Sequence, residues 1–315
     1  MKTTFRFFIL LAPLFILSCG SDDDYSNGGI PQGGSANVNA NDTLANPSLA
    51  RLEFPRYPYS ADSKSVLLVH STSDGYGVNY SVEWDCDKKA QRWSCYQMNK
   101  RTLAQNVRRY SSATNQYPFD PQLPADKYLS QDCFWNSGYD HGHICPSADR
   151  LYSEMANIQT FYLTNMQPQT KAFNGSLSGS ESYKNSWSPW YQLEGLVRTW
   201  ASRNMGRETE NLYVVKGGTI EDDQVLPNRL KGEMRVPKYF FVALLLKNEL
   251  GYKAVGFWMH HQGSYPAKQS VADYAVNIRT LEQNTGIDFF CNLPDDVEDH
   301  VETLPLQNVK RAWGL

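Results

Sequence analysis

Residues 139–150 read YDHGHICPSADR, and the chain around them is best understood as a scaffold for this stretch. Asp140, His141, Gly142 and His143 are consecutive, and Pro146 and the pair Asp149-Arg150 follow. An imidazole titrates near neutral pH, so His143 can take a proton from water and return it within one cycle; it is the candidate general base. Gly142 permits a close backbone approach that a Cβ would block. The segment should be extended. Successive side chains of a strand point to opposite faces, so His141, His143 and Cys145 would share one face.

Two further patterns lie downstream, TFYLTNMQPQTKAFN over residues 160–174 and WYQLEGLVR over residues 190–198. The ordered series is Asp140, Gly142 and His143, then Asn165, Pro168, Gln169 and Asn174, then Trp190, Leu193, Glu194 and Arg198. This series resembles the DNA/RNA non-specific endonucleases of the ββα-metal (His-Me finger) class. Their motifs run D-R-G-H, N-x-x-P-Q-x-x-x-x-N and W-x-x-L-E-x-x-x-R, and a looser likeness covers residues 79–290. The resemblance implies an α+β fold with a central, mainly antiparallel sheet and packed helices. It also implies metal-dependent hydrolysis of phosphodiester bonds in DNA and RNA, without preference for sugar or sequence, leaving 5′-phosphates.

Carried over position by position, the resemblance makes His143 the base. It places one Mg²⁺, with Mn²⁺ as a substitute, directly on Asn174. Glu194 would hold water of the ion's hydration shell, Asn165 would orient His143 or that shell, and Arg198 would face phosphate. Asp140, His141 and Arg150 fall on the substrate side. Mg²⁺ sheds water reluctantly, so one amide and a more distant carboxylate suit it. Two departures stand out. The family's Arg is His141 here, and residues 175–189 lengthen the segment between Asn174 and Trp190. The longer segment makes Asn185 a rival ligand; the spacing from Asn165 through Pro168-Gln169 favours Asn174.

Other readings compete. His141, His143 and Cys145, joined by Cys133, have the residue types of a zinc site, although neighbouring positions on one flat strand converge poorly on a tetrahedral ion. His141 can instead pack or hydrogen-bond beneath the site. Glu194 and Arg198 are four apart on a helix and would also suit an ordinary surface ion pair. From a different class, the chain can be read as a catalytically impaired, surface-tethered protein that binds nucleic acid or glycan.

The start of the chain reads as an export signal over residues 1–18, with Lys2 and Arg6 before an apolar run too short to span a bilayer. Ile16-Leu17-Ser18-Cys19 resembles a bacterial lipobox, which makes Cys19 the lipidated anchor of an outer-membrane lipoprotein; the acidic run Ser21-Asp22-Asp23-Asp24 resembles signals that send such lipoproteins to the cell surface, or is a solvated start to the linker. Residues 19–50 form a polar tether poor in large apolar side chains. Residues 51–315 then make one α+β domain. The formal charge is −3, and loss of Lys2 and Arg6 takes it to −5. A nucleic-acid binder is usually basic. Binding through a metal and a few local cations, salt-sensitive and blind to sequence, reconciles the two. The acidic run at residues 295–299 accounts for part of the imbalance.

Residues 65–71, 78–84, 92–98, 161–163, 212–218, 237–247 and 254–259 carry strand patterns. Residues 190–202 have a helical apolar stripe of Leu193, Leu196, Val197 and Trp200 behind Ser188 as N-cap and Pro189. Residues 271–285 read as a supporting helix, and His260 and His261 as surface or packing residues. An exported chain permits disulfides, with Cys86–Cys95 and Cys133–Cys145 as candidate pairs.

Overall fold

In residues 240–246 every side chain is apolar and buried, the pattern of a strand covered on both faces. The computed structural model describes residues 36–44, 46–58, 64–127, 129–175, 188–204, 210–266 and 269–315. The expected export signal, Cys19 and Asn185 lie outside them.

The chain runs through β1 (Ser65–Thr72), β2 (Gly77–Asp85), β3 (Ala90–Met98), β4 (Asp140–His143), α1 (Glu154–Gln159), β5 (Met166–Gln169) and α2 (Lys171–Asn174). It continues through α3 (Pro189–Asn204), β6 (Asn211–Gly218), β7 (Val225–Leu230), β8 (Met234–Pro237), β9 (Tyr239–Asn248) and β10 (Gly251–His260). It closes with β11 (Ala275–Val276), α4 (Ile278–Thr285), α5 (Asp295–Thr303) and α6 (Leu306–Trp313).

Seven strands form one sheet in the order β1-β2-β3-β6-β9-β10-β11, every neighbouring pair antiparallel. The period of two sorts the side chains. Leu212, Val214, Val242 and Leu244 point into one core with Trp190, Leu193, Val197 and Trp200 of α3. Tyr213, Val215, Ala243 and Leu245 point into the other, with Ile278 and Leu281 of α4 and Val297 and Val301 of α5. The sheet is thus the middle of three layers, and the α+β expectation holds.

Four readings are corrected. Residues 161–163 are a turn leading into a short 3₁₀ helix (Leu163–Asn165), not a strand; the strand is β5, which pairs with β4. The helical stretch 271–285 breaks into a 3₁₀ turn at Val271–Tyr274, the short β11 and α4, because Ser270 and Asn277 each cap a new start. The tether does not extend to residue 50. Asn37 Nδ2 donates to the Cys291 carbonyl at 3.0 Å, Asn41 Nδ2 to the Pro55 carbonyl at 3.1 Å, and Leu49 is buried. Amide side chains dock this segment together with the apolar Leu49. Finally, Cys86, Cys95, Cys133, Cys145 and Cys291 are all free thiols. The β2–β3 register sets Cys95 opposite Ser81, and Cys86 lies beyond the end of β2.

Candidate active site

β4, β5 and α2 form a ββα unit on the face of the sheet that carries α3. Its register puts Asp140 opposite Gln169, Gly142 opposite Gln167 and His143 opposite Met166. A Cβ on Gly142 would lie 2.4 Å from Gln169 Cδ and 2.6 Å from the Gln167 carbonyl oxygen. Only a glycine lets the two strands close here. Gln167 ties the unit to the sheet, its Nε2 donating to the Gln91 and Gly218 carbonyls, each at 3.1 Å.

α2 begins at Thr170, whose hydroxyl oxygen accepts from the Phe173 N–H at 3.2 Å. The Thr170 N–H donates to His261 Nε2 at 2.8 Å, and His261 Nδ1 lies 2.8 Å from the Pro237 carbonyl. A carbonyl can only accept, so His261 carries its proton on Nδ1. Burial lowers the His261 pKa to about 4, which keeps Nε2 an acceptor. The helix ends with Gly175 in the left-handed region (φ 73°), immediately after Asn174. Asn174 Nδ2 donates to Asp140 Oδ2 at 3.2 Å. Asp140, expected on the substrate side, therefore orients the candidate metal ligand.

His143 closes β4. Its Nδ1 lies 3.2 Å from the His141 carbonyl, so in the neutral ring the proton sits on Nδ1 and Nε2 carries the lone pair. Nε2 is shielded from solvent and has no hydrogen-bond partner. The ring stands edge-on to Phe161, with centroids 4.9 Å apart. Burial, aided by the Arg109 guanidinium, lowers the His143 pKa to about 3. The imidazole is thus an unprotonated acceptor across the physiological range.

His141 turns the other way. It stacks on Tyr117 at 3.6 Å and Phe134 at 4.4 Å, and its Nε2 lies 3.0 Å from Asp132 Oδ2. The substrate-side assignment of its ring is corrected: the ring packs beneath the site, and its carbonyl serves His143. The zinc reading fails for the same reason. Cys145 is also buried, with its thiol pushed up to about 12 by that burial. Among the described residues no three His, Cys, Asp or Glu side chains are grouped to hold a metal ion.

Arg150 is corrected too. It is fully buried, donates through Nη2 to the Gln97 carbonyl at 2.9 Å, and lies over the Tyr96 ring at 4.4 Å. Asn165 is likewise fully buried. Its Nδ2 donates to the Cys145 and Thr160 carbonyls at 2.8 Å, and its Oδ1 accepts from the Cys145 N–H at 2.9 Å. It pins the turn after β4 and so acts on His143 through the backbone.

α3 brings Glu194 and Arg198 to the same face. Their closest approach is 4.0 Å, while Arg198 Nη1 donates to the buried Asp149 at 3.0 Å. Glu194 Oε1 instead accepts from Lys216 Nζ of β6 at 2.9 Å. The Lys216 ammonium also sits 4.2 Å above the Trp190 ring centroid. Arg109 lies 4.7 Å over Phe161, the ring that His143 meets edge-on.

The sequence reading missed Lys216 and Asp132, read Arg109 only as part of a basic stretch that is solvated or substrate-facing, and read His261 as a surface or packing residue. For Lys216 a signal exists: a lone charge in LYVVKGG, an otherwise apolar and buried strand, needs a partner. Arg109 is one of several cations in a polar stretch, and nothing local distinguishes it.

A family model described as DNA/RNA non-specific endonuclease matches residues 69–296. A nuclease of Nostoc sp. is 28% identical over 243 residues, covering 74% of this chain and 79% of that protein. Nuclease C1 of Cunninghamella echinulata is 26% identical over 181 residues, 55% of this chain and 66% of that protein. Mitochondrial Nuclease EXOG of Xenopus laevis is 22% identical over 230 residues, which span 58% of its length. Among solved structures, the crystal structure of an EndoG/EndoGI complex aligns with a TM-score of 0.55 at 21% identity, covering 71% of this chain and 86% of that one. At that identity the likeness bears on the fold alone.

Proposed function

The chain belongs to the DNA/RNA non-specific endonuclease family, and from that premise we propose that His143 is the general base of a Mg²⁺-dependent phosphodiester hydrolysis. The observation that carries this reading is the state of its ring. Nδ1 is committed to the His141 carbonyl, and Nε2 presents an unpartnered lone pair. An incoming water can donate to Nε2 and lose its proton there as it attacks phosphorus. A bound phosphodiester brings negative charge beside the ring. That opposes the Arg109 contribution and raises the basicity of His143 in the complex.

The residues present fit a hard divalent cation. The Asp140 contact fixes the nitrogen end of the Asn174 amide and leaves Oδ1 for an ion, and the Glu194 carboxylate lies on the neighbouring helix. All three groups offer oxygen donors, and their small number suits an ion that keeps most of its water. When bound, Mg²⁺ supplies Lewis-acid stabilisation of charge on the phosphate and the leaving oxygen; Mn²⁺ would substitute. Glu194 would accept hydrogen bonds from the ion's hydration water. Arg198, already oriented by Asp149, contributes positive potential toward phosphate. Arg109 is the further cation that this geometry offers a substrate, in the absence of an arginine at position 141.

Recognition by backbone charge supports cleavage of both DNA and RNA. The impaired, binding-only reading gains no support, because the His143, Asn174 and Glu194 positions are all furnished. The lipidated, outer-membrane setting rests on Cys19 and the apolar run before it. Digestion of plasmid DNA and total RNA with Mg²⁺ and with EDTA tests the reading. Loss of both substrates in Mg²⁺ alone is expected, and persistence of both in Mg²⁺ would overturn it.

A further inference from the structure

Lys216 lies in β6 between Val215 and Gly217, and its side chain is 3% exposed. A lysine is almost never this buried unless paired. Its stem crosses the Trp190 ring, and its ammonium meets Glu194 Oε1 at 2.9 Å. Arg198, the helix neighbour expected to pair with Glu194, is 4.0 Å from Oε2 and hydrogen-bonds Asp149 instead. One carboxylate oxygen is therefore tied down from the sheet, and the other faces Arg198 at 4.0 Å. The β6 position is itself fixed, by Ser94 opposite Lys216 on one side and Val242 on the other.

We propose that Lys216 is a positioning residue for the nuclease reaction: it anchors Glu194 from beneath so that the carboxylate serves hydration water and does not swing in to bind the metal directly. The proposal rests on the function proposed above. A flexible carboxylate beside a divalent cation tends to coordinate it. A carboxylate whose near oxygen is held by an ammonium at hydrogen-bond distance is restrained from doing so. The ammonium is too buried to touch nucleic acid, so it acts through Glu194.

The test compares the wild-type chain with Lys216→Met, Glu194→Gln and the double variant. Methionine keeps the apolar stem over Trp190 and removes the charge. Lys216→Met should fold, as read by circular dichroism, and lose about 10- to 100-fold in Mg²⁺-dependent turnover, the usual effect of removing a group that supports a metal ligand. It should bind Mn²⁺ at least as tightly as wild type by calorimetry without substrate, because a positive charge has left the neighbourhood of the ion. Wild-type turnover in Lys216→Met, or weaker Mn²⁺ binding, would overturn the proposal.

Thermal melting supplies a readout independent of turnover. Glu194→Gln leaves the ammonium buried without its counter-charge, so adding Lys216→Met should raise the melting temperature of Glu194→Gln. A further drop would show that the two do not act as a pair. If the wild-type chain itself fails to cleave with Mg²⁺, the nuclease reading fails. If it cleaves and Lys216→Met matches it, only the assignment of Lys216 fails.

Discussion

His141 and His143 are two positions apart on one strand, yet one ring is a buttress and the other is placed to work. The difference lies in what each nitrogen meets. His141 Nε2 faces the Asp132 carboxylate inside an aromatic stack, whereas His143 Nε2 has no hydrogen-bond partner. The sequence offered both residues but not their directions, because Asp132, Tyr117 and Phe134 arrive from a stretch with no regular pattern. Asn174 was legible from its spacing. Its partner Asp140 was legible as part of the site but not in its role. Asn174→Ala should abolish Mg²⁺-stimulated cleavage, and Asp140→Asn should cost about 10- to 100-fold, since it removes the group that turns the amide; wild-type rates in Asp140→Asn would show that the contact does not matter. Arg109→Ala should weaken binding of all nucleic-acid sequences alike and reduce the slope of log affinity against log salt by about one. An unchanged slope would remove Arg109 from the phosphate path.

The ββα unit works because three short elements close on one another. β4 and β5 meet across Gly142, α2 starts from a hydrogen bond to His261, and Asn165 pins the exit of β4. None of these elements has much intrinsic stability; β4, β5 and α2 have four residues each. That explains where the sequence misled. Residues 161–163 look like a strand because they are apolar, but their burial comes from packing under His143 and not from pairing. The long central strands were readable because their alternation, or their unbroken apolar run, reflects burial on one face or both. Gly142→Ala would force its new methyl into Gln169 and the Gln167 carbonyl. It should cost about 1–3 kcal/mol in a urea melt and most of the activity. Unchanged stability would mean the ribbon can open without consequence.

At the scale of the whole molecule, the sheet separates charge. The acidic helix α5 packs on the face with α4, opposite the face that carries α3. The acidic run of residues 295–299 thus sits behind the sheet, which the residue order alone did not reveal. Glu282, Asp288, Glu298 and Glu302 cluster there around Arg279 and Asn39, lining a cavity of about 680 Å³. Burial raises the pKa of each, and neighbouring carboxylates reinforce the rise at Glu282, Glu298 and Glu302. Groups with raised folded-state values favour folding below their ordinary range near 4.5 and lose that contribution as pH rises through the folded values. His143 and His261 act oppositely. Their lowered values remove stability as pH falls below about 6.5. Above neutrality the histidines no longer contribute, and the carboxylates act together with the buried thiols, whose values burial also raises, so the melting temperature should decline from pH 7 to 9. Glu302→Gln should flatten that decline; an identical slope in the variant would show that the cluster does not govern it.

One measurement reaches the role of His143 as proton acceptor directly. Turnover of DNA and of RNA by His143→Ala is compared with wild type in saturating Mg²⁺, with fold and melting temperature checked. A fall of at least about 10²-fold on both substrates, with the fold intact, is the predicted result. Turnover within a few-fold of wild type on either substrate would contradict it.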